Sequence, residues 1–319
     1  MKLATVHHAG RDRLGLVIGD DVVDLGAALA ERLGPDAPRT MMELIEGWGA
    51  WGETVGEVAR QAAESSDGLT LYPAAGATWR APVPNASKIC CLALNNSANA
   101  DRILKGPDHP AMFVKPPSTL TGHGQPIACR PVYGRVHPEP ELAVVIGRRA
   151  KDVRAEDAYA HVFGYTVHND ITSPTMRADD TFHYRAIHPR GDSREVEYVD
   201  TWVSYPGRYK CSDTFSPMGP WLVTRDEIAD AHDLVIRCSH KGELVTEDST
   251  ANLFFKVPEV IAYLSGFLTL LPGDIVSMGT ALKSGGGGAV QNIDLNRLGG
   301  PVSVEIEGIG LLSNPVVWE

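Results

Sequence analysis

No uninterrupted apolar run in the 319 residues approaches the roughly 18 that a membrane-spanning helix needs, so a helical membrane span is excluded. The opening Met1-Lys-Leu-Ala-Thr-Val-His-His lacks the apolar centre of a signal peptide and reads instead as a strand. Basic residues are in deficit: 29 Lys and Arg face 40 Asp and Glu, a formal net charge of −11. The concentrated basic patch that nucleic acid demands is therefore missing, and a cation held by carboxylates would meet no large opposing field. The five cysteines (Cys90, Cys91, Cys129, Cys211 and Cys238) are odd in number and form no C-x-x-C pair. They read as buried or free thiols of a reducing compartment. The glycine run Ser284-Gly-Gly-Gly-Gly288 lacks the G-K-[ST] ending and the strand–loop–helix setting of a phosphate cradle, and reads as a mobile flap. There is no internal repeat. These absences leave a cytoplasmic globular protein with no nucleic-acid and no membrane partner.

What is present is turn-rich, with 32 Gly and 22 Pro, and favours short strands over long helices. Residues 1–75 predict a small N-terminal α/β domain. Its strand pair turns at Gly19-Asp20-Asp21, and near-helical apolar spacing from Thr40 to Ala63 predicts one or two helices. Residues 76–86 read as a linker, and residues 87–319 as a mostly β domain. Its strands include the continuous apolar run after Glu141, the run Val162 to His168, and Leu234 to His240. A helix from Val257 to Leu268 carries Pro258 in its first turn, and the tail from Val302 is a hairpin. The fold class is α+β, mostly β, with a closed or rolled sheet.

The sharpest chemical feature is Glu139-Pro140-Glu141 at the start of the apolar run. Carboxylates two apart on an extended segment point to one face, and like charges so close call for a cation. Asp170 ends the strand that begins at Val162, a costly place for an acid without a partner or ligand. An all-oxygen set suits Mg²⁺, Mn²⁺ or Ca²⁺ better than zinc.

Five ordered segments carry a family resemblance: Phe113-Val-Lys-Pro-Pro-Ser, Glu139-Pro-Glu-Leu-Ala-Val-Val-Ile-Gly147, Gly164-Tyr-Thr-Val-His-Asn-Asp170, Phe215-Ser-Pro-Met-Gly-Pro220 and Pro272-Gly-Asp-Ile-Val-Ser-Met-Gly-Thr280. Together with the ending Ile306 to Val316, residues 85–319 resemble the fumarylacetoacetate hydrolase family. The resemblance implies a rolled mixed β-sheet and a homodimer. It also implies one Mg²⁺ or Mn²⁺ (Ca²⁺ as a crystallisation substitute) on Glu139, Glu141 and Asp170, and a small anionic 2-oxo acid as substrate. On the matching positions Lys210 neutralises charge developing on the substrate, and Thr280 helps bind its carboxylate. The reaction so implied is hydrolysis of a C–C bond in a 2-oxo or 1,3-diketo acid, leaving an enolate that the metal stabilises.

Departures from the family pattern bear on that reaction. A lid histidine and a glutamate three residues on would activate water, but here Asn99 and Arg102 stand at those positions. After Asp170, Pro174 and Arg177 occupy substrate-facing positions, and Arg177 can grip a carboxylate in bidentate fashion. Thr280 is followed by Ala281 where relatives often have proline. The stretch 180–208 reads as an insertion, either a surface arm or a cover over the pocket. In the second case His183 or His188 replaces the missing base, and Arg185 or Arg190 binds a second substrate carboxylate. The missing pair moves weight toward an isomerase, decarboxylase or dehydratase on a 2-oxo acid. A catalytically inactive metal-binding scaffold is the remaining alternative.

Overall fold

The computed structural model describes residues 1–98, 103–282 and 289–319. Most short apolar runs become strands of one twelve-stranded mixed sheet. Across it run Leu71–Pro73, Asp21–Asp24, Arg11–Ile18, Lys2–His8, Ser216–Thr224, Val162–Asn169, Pro140–Ile146, Ile275–Ser277, Ile89–Ala93 and Ala111–Lys115. Neighbours along this path are antiparallel except Ile275–Ser277 and Ile89–Ala93, which are parallel. A second, four-stranded antiparallel sheet joins Glu243–Ser249, Val235–His240, Val302–Ile306 and Gly310–Asn314.

The strand Pro140–Ile146 explains how the layers close. Leu142, Val144 and Ile146 pack in the same core as Ile236, Val304 and Leu312 of the four-stranded sheet. Ala143 and Val145, on the other face, join Leu44, Ile45, Val55 and Val58 of the N-terminal helices. With apolar layers on both sides every residue of the strand is buried, which is why its sequence is a continuous apolar run. The result is the mostly β α+β architecture with a rolled sheet.

The helical stretch after Thr40 forms two helices, Met41–Glu46 and Trp48–Glu64. Thr40 and Glu43 close a reciprocal capping box at the first, and the chain breaks at Gly47, against which the Trp51 ring packs. Lys2–His8 pairs with Ser216–Thr224, so the leading strands continue the large sheet. In residues 76–86, Thr78–Trp79 pairs with Lys2–His8, while Ala81, Val83 and Ala86 are buried.

Residues 180–208 contain a two-stranded antiparallel ribbon, Phe182–Pro189 with Val196–Val203, pairing with no other strand among the described residues. Nearly all of it is exposed, including Phe182, Ile187, Tyr198 and Trp202.

Candidate metal centre and substrate cavity

The register of two neighbouring strands assembles the acids. Pro140 lies opposite Asn169, and the Asp170 N–H donates to the Glu139 carbonyl at 2.9 Å, so the two strand ends meet. Ligand oxygens of Glu139, Glu141 and Asp170 all lie within 4.8 Å of one another. Glu141 and Asp170 are buried and Glu139 is half-buried.

Two lysines hold this cluster. Lys210 Nζ donates to Glu139 Oε2 at 2.7 Å and to Asp170 Oδ2 at 2.5 Å, and its ammonium lies 5.1 Å from the centre of the Phe113 ring. Lys115, fully buried at the end of Ala111–Lys115, donates to Asp170 Oδ1 at 2.5 Å and to the Phe215 carbonyl at 2.7 Å. Glu141 receives neutral donors instead. Ser277 Oγ donates at 2.5 Å, the Gly279 N–H at 3.1 Å and Thr280 Oγ1 at 3.1 Å. Thr280 Oγ1 also lies 3.1 Å from Glu139 Oε2, tying the two glutamates together. Gly279 adopts φ +98°, and a Cβ there would meet the Asn95 Cβ at 2.9 Å, so only glycine brings this N–H to Glu141.

Charge follows from these partners. Burial alone would raise Asp170, but Lys115 and Lys210 outweigh it and hold its carboxyl below the usual range. Burial of Glu139 is likewise outweighed, by Lys210 and by His137, whose Nε2 is 3.1 Å from Oε1. Glu141 goes the other way: burial, then the charges of Asp170 and Glu139, push it up to about 8. Lys210 would be lowered by burial, yet Asp170, Glu139 and Glu141 keep it an ammonium well above its ordinary value. Behind Glu141, Ser277 Oγ lies 2.7 Å from His168 Nδ1. Since the Ser277 proton goes to Glu141, His168 must donate from Nδ1. Burial pushes the His168 imidazole down to about 3, so it stays neutral and fixes the serine.

Three carboxylates against two ammonium groups leave one negative charge in excess, and the raised Glu141 is its symptom. An all-oxygen donor set with that surplus fits a divalent cation of the Mg²⁺ or Mn²⁺ type. With the cation bound the surplus becomes positive, which favours an anionic substrate. The cluster opens on a cavity of about 550 Å³, whose lining includes Phe113, Arg135, His137, Arg177, Tyr209 and Lys210.

A fumarylacetoacetate hydrolase C-terminal family model matches residues 88–317. The chain belongs to the fumarylacetoacetate hydrolase family. Among relatives of this family member, an oxaloacetate tautomerase of Bacillus subtilis is 33% identical over 329 residues, covering 99% of this chain and 100% of the relative. An oxaloacetate tautomerase of Rattus norvegicus, described as mitochondrial, is 34% identical over 301 residues, covering 94% of this chain and 85% of the relative. Among solved structures, maleylpyruvate hydrolase from Sphingobium sp. SYK-6 in complex with manganese(II) and pyruvate is 29% identical. It superposes with a TM-score of 0.72 over 100% of this chain and 99% of that one.

Of the residues the sequence singled out, Glu139, Glu141, Asp170, Lys210 and Thr280 converge on one point, and Arg177 lines the cavity above them. His183, His188 and Arg185 lie on the ribbon, outside the described lining of this cavity. His183 stacks on Trp202 with ring centres 4.3 Å apart, Arg185 pairs with Asp200, and Arg190 faces Glu195. Asn99, Arg102 and the run from Ser284 to Gly288 lie outside the described residues. Sequence reasoning missed Lys115, although it stands inside the Phe113-Val-Lys-Pro-Pro segment. A lysine closing an apolar strand was the available signal. It also missed Ser277, Arg135 and the bond from His137 to Glu139.

Proposed function

We propose that this protein is a divalent-metal-dependent enzyme that interconverts the enol and keto forms of a small 2-oxo dicarboxylic acid of the oxaloacetate type. The observation that carries this reading is the makeup of the cavity. Its described lining holds Lys210, Arg135 and Arg177, and its sole imidazole, His137, is engaged by Glu139. No histidine stands between Asn95 and Gly106, where a water-activating lid pair would come. Enol–keto exchange needs no water nucleophile, only stabilised negative charge on oxygen while the enol O–H proton leaves to solvent and solvent returns one to the adjacent carbon. The likeness to two oxaloacetate tautomerases over nearly the whole chain supports the same reaction.

A divalent cation, when bound, supplies Lewis-acid polarisation of the 2-oxo group. The chain's own groups do the rest. Glu139, Glu141 and Asp170 form the holding face, and Ser277 and Gly279 keep Glu141 aimed at it. Lys210 remains an ammonium, so it donates hydrogen bonds to developing negative charge and does not take up the proton. Phe113 covers this ammonium, which is buried.

The test dissolves crystalline enol-oxaloacetate and follows loss of its ultraviolet absorbance with protein and Mg²⁺ or Mn²⁺. A metal-dependent acceleration abolished in Lys210→Met is expected. Cleavage of an acylpyruvate without faster ketonisation would overturn the reading in favour of C–C hydrolysis. Pyruvate release from oxaloacetate would favour decarboxylation. Running His183→Ala and His188→Ala alongside decides whether the ribbon carries a base, since retained activity in both removes it.

A further inference from the structure

The geometry points to Arg135 as the residue that reads the second, distal carboxylate of the substrate and so sets the preference for dicarboxylic over monocarboxylic 2-oxo acids. The inference rests on the reading that the substrate is a 2-oxo acid; it names the group that selects among such acids.

Arg135, His137 and Glu139 alternate along one stretch of chain and all three reach the cavity lining. Glu139 marks the cation end. Arg135 is four residues before it, at most about 14 Å away along the chain, so with a cation bound the cavity has positive charge at that site and again at Arg135. A substrate with two carboxylates meets both, and one with a single carboxylate meets only the first.

The position of Arg135 is built rather than incidental. Gly134 takes φ +58°, and a Cβ there would meet Thr175 at 2.6 Å. The Arg135 N–H then donates to Thr175 Oγ1 at 3.0 Å, and Asn296 Nδ2 donates to the Gly134 carbonyl at 2.8 Å. Thr175 stands two residues before Arg177 on the helix Pro174–Asp179, so its side chain ties the segment carrying Arg135 to the helix carrying Arg177. Of the guanidinium donors of Arg135, the described residues take one, through the Gln291 carbonyl at 2.9 Å. No described acid pairs with Arg135 or Arg177. Two arginines without an acid partner on one cavity wall leave their planar forks open to a carboxylate ligand.

Malate and lactate differ in the distal carboxylate alone, and neither undergoes enol–keto exchange. Equilibrium binding of each to the Mg²⁺-loaded protein, measured by calorimetry, is the test. The unaltered protein is expected to prefer malate. Arg135→Met should weaken malate binding by ~10- to 100-fold, the worth of one charge-assisted bidentate contact, and leave lactate binding unchanged. Arg135→Lys should recover only part of the loss, because it restores the charge without the fork. In turnover, Arg135→Met should raise KM for oxaloacetate more than it lowers kcat. An unchanged malate-to-lactate ratio in Arg135→Met, or no preference in the unaltered protein, overturns the inference. Arg135-dependent malate binding by a protein that fails to ketonise oxaloacetate would overturn the reaction reading and leave this inference standing.

Discussion

Replacing Glu141 with glutamine should strengthen the metal-free fold in alkali while removing the response to metal. Glu141 is fully buried and, without a cation, its carboxyl is held up near 8 against an ordinary value of 4.5. The unfolded chain therefore gives up this proton first. Stability is fully present below pH 4.5 and is lost as pH rises to about 8. That interval corresponds to about 5 kcal/mol at 1.36 kcal/mol for each tenfold change in proton activity. Glutamine keeps the shape and still accepts from Ser277 and Gly279, but carries no proton to lose. His168, held low by burial, acts with the opposite sign up to pH 6.5, so the window is clean from there upward. Glu139 and Asp170, held low, act in acid, and Lys210, held high, acts above its ordinary 10.5. Thermal unfolding in a chelator should show the unaltered protein losing ground to Glu141→Gln from pH 4.5 to about 8, and from pH 6.5 upward the unaltered protein falling while Glu141→Gln stays nearly flat. The gap at pH 9 should reach roughly 10 °C, at about 2 °C per kcal/mol. Adding Mn²⁺ should restore the unaltered protein and leave the variant where it was. Parallel pH curves for the two proteins, or equal gains from Mn²⁺, would refute the account of Glu141 as a carboxylate kept protonated until a cation arrives.

Lys115→Met removes one of two ammonium groups on the buried Asp170 and should cost about 3–5 kcal/mol in chemical denaturation, with loss of activity; a cost under about 1 kcal/mol would show that Lys210 suffices. His168 is held near 3 by burial, so its contribution is present above its ordinary 6.5 and is lost as pH falls toward 3. His168→Gln should flatten acid denaturation across that interval. Asp248 accepts from Asn96 Nδ2 at 2.9 Å, from the Leu282 N–H at 2.9 Å and from Asn252 Nδ2 at 2.6 Å. It thereby joins segments leading into both walls of the cavity, and Asp248→Ala should cost about 2–4 kcal/mol and raise KM; unchanged stability would refute this bracing role.

Sequence pattern revealed what depends on neighbours along the chain. Two glutamates flanking a proline before an apolar run, and an aspartate closing another, suggested a cation site, since alternation along a strand is local; the family resemblance was needed to name the triad. Burial of Pro140–Ile146 on both faces was legible for the same reason. Partners chosen by sheet order were not. Lys115 meets Asp170, and Ser277 stands between Glu141 and His168, only because strands distant in sequence lie side by side. Nothing in the sequence singled out Arg135, because the placement proposed for it depends on a bond from its N–H to Thr175, 40 residues on, with Gly134 fitting under that threonine. The ribbon was readable as an arm, but its alternation places apolar side chains on both faces, so no pattern marks an inner side.

The pairing of Lys2–His8 with Ser216–Thr224 carries a consequence for biosynthesis. The strand Lys2–His8 has its neighbour on one side within a few residues, in Arg11–Ile18, and part of the other side is filled by Thr78–Trp79, but its Lys2–Leu3 end must wait for some two hundred residues before that side is complete. Until then its open edge is a template for foreign strands. Pairings of such long reach are slow to form. Chaperone dependence should therefore centre on this edge, and a chain cut before residue 216 should be retained by holdases although the hairpin of its opening residues has already formed.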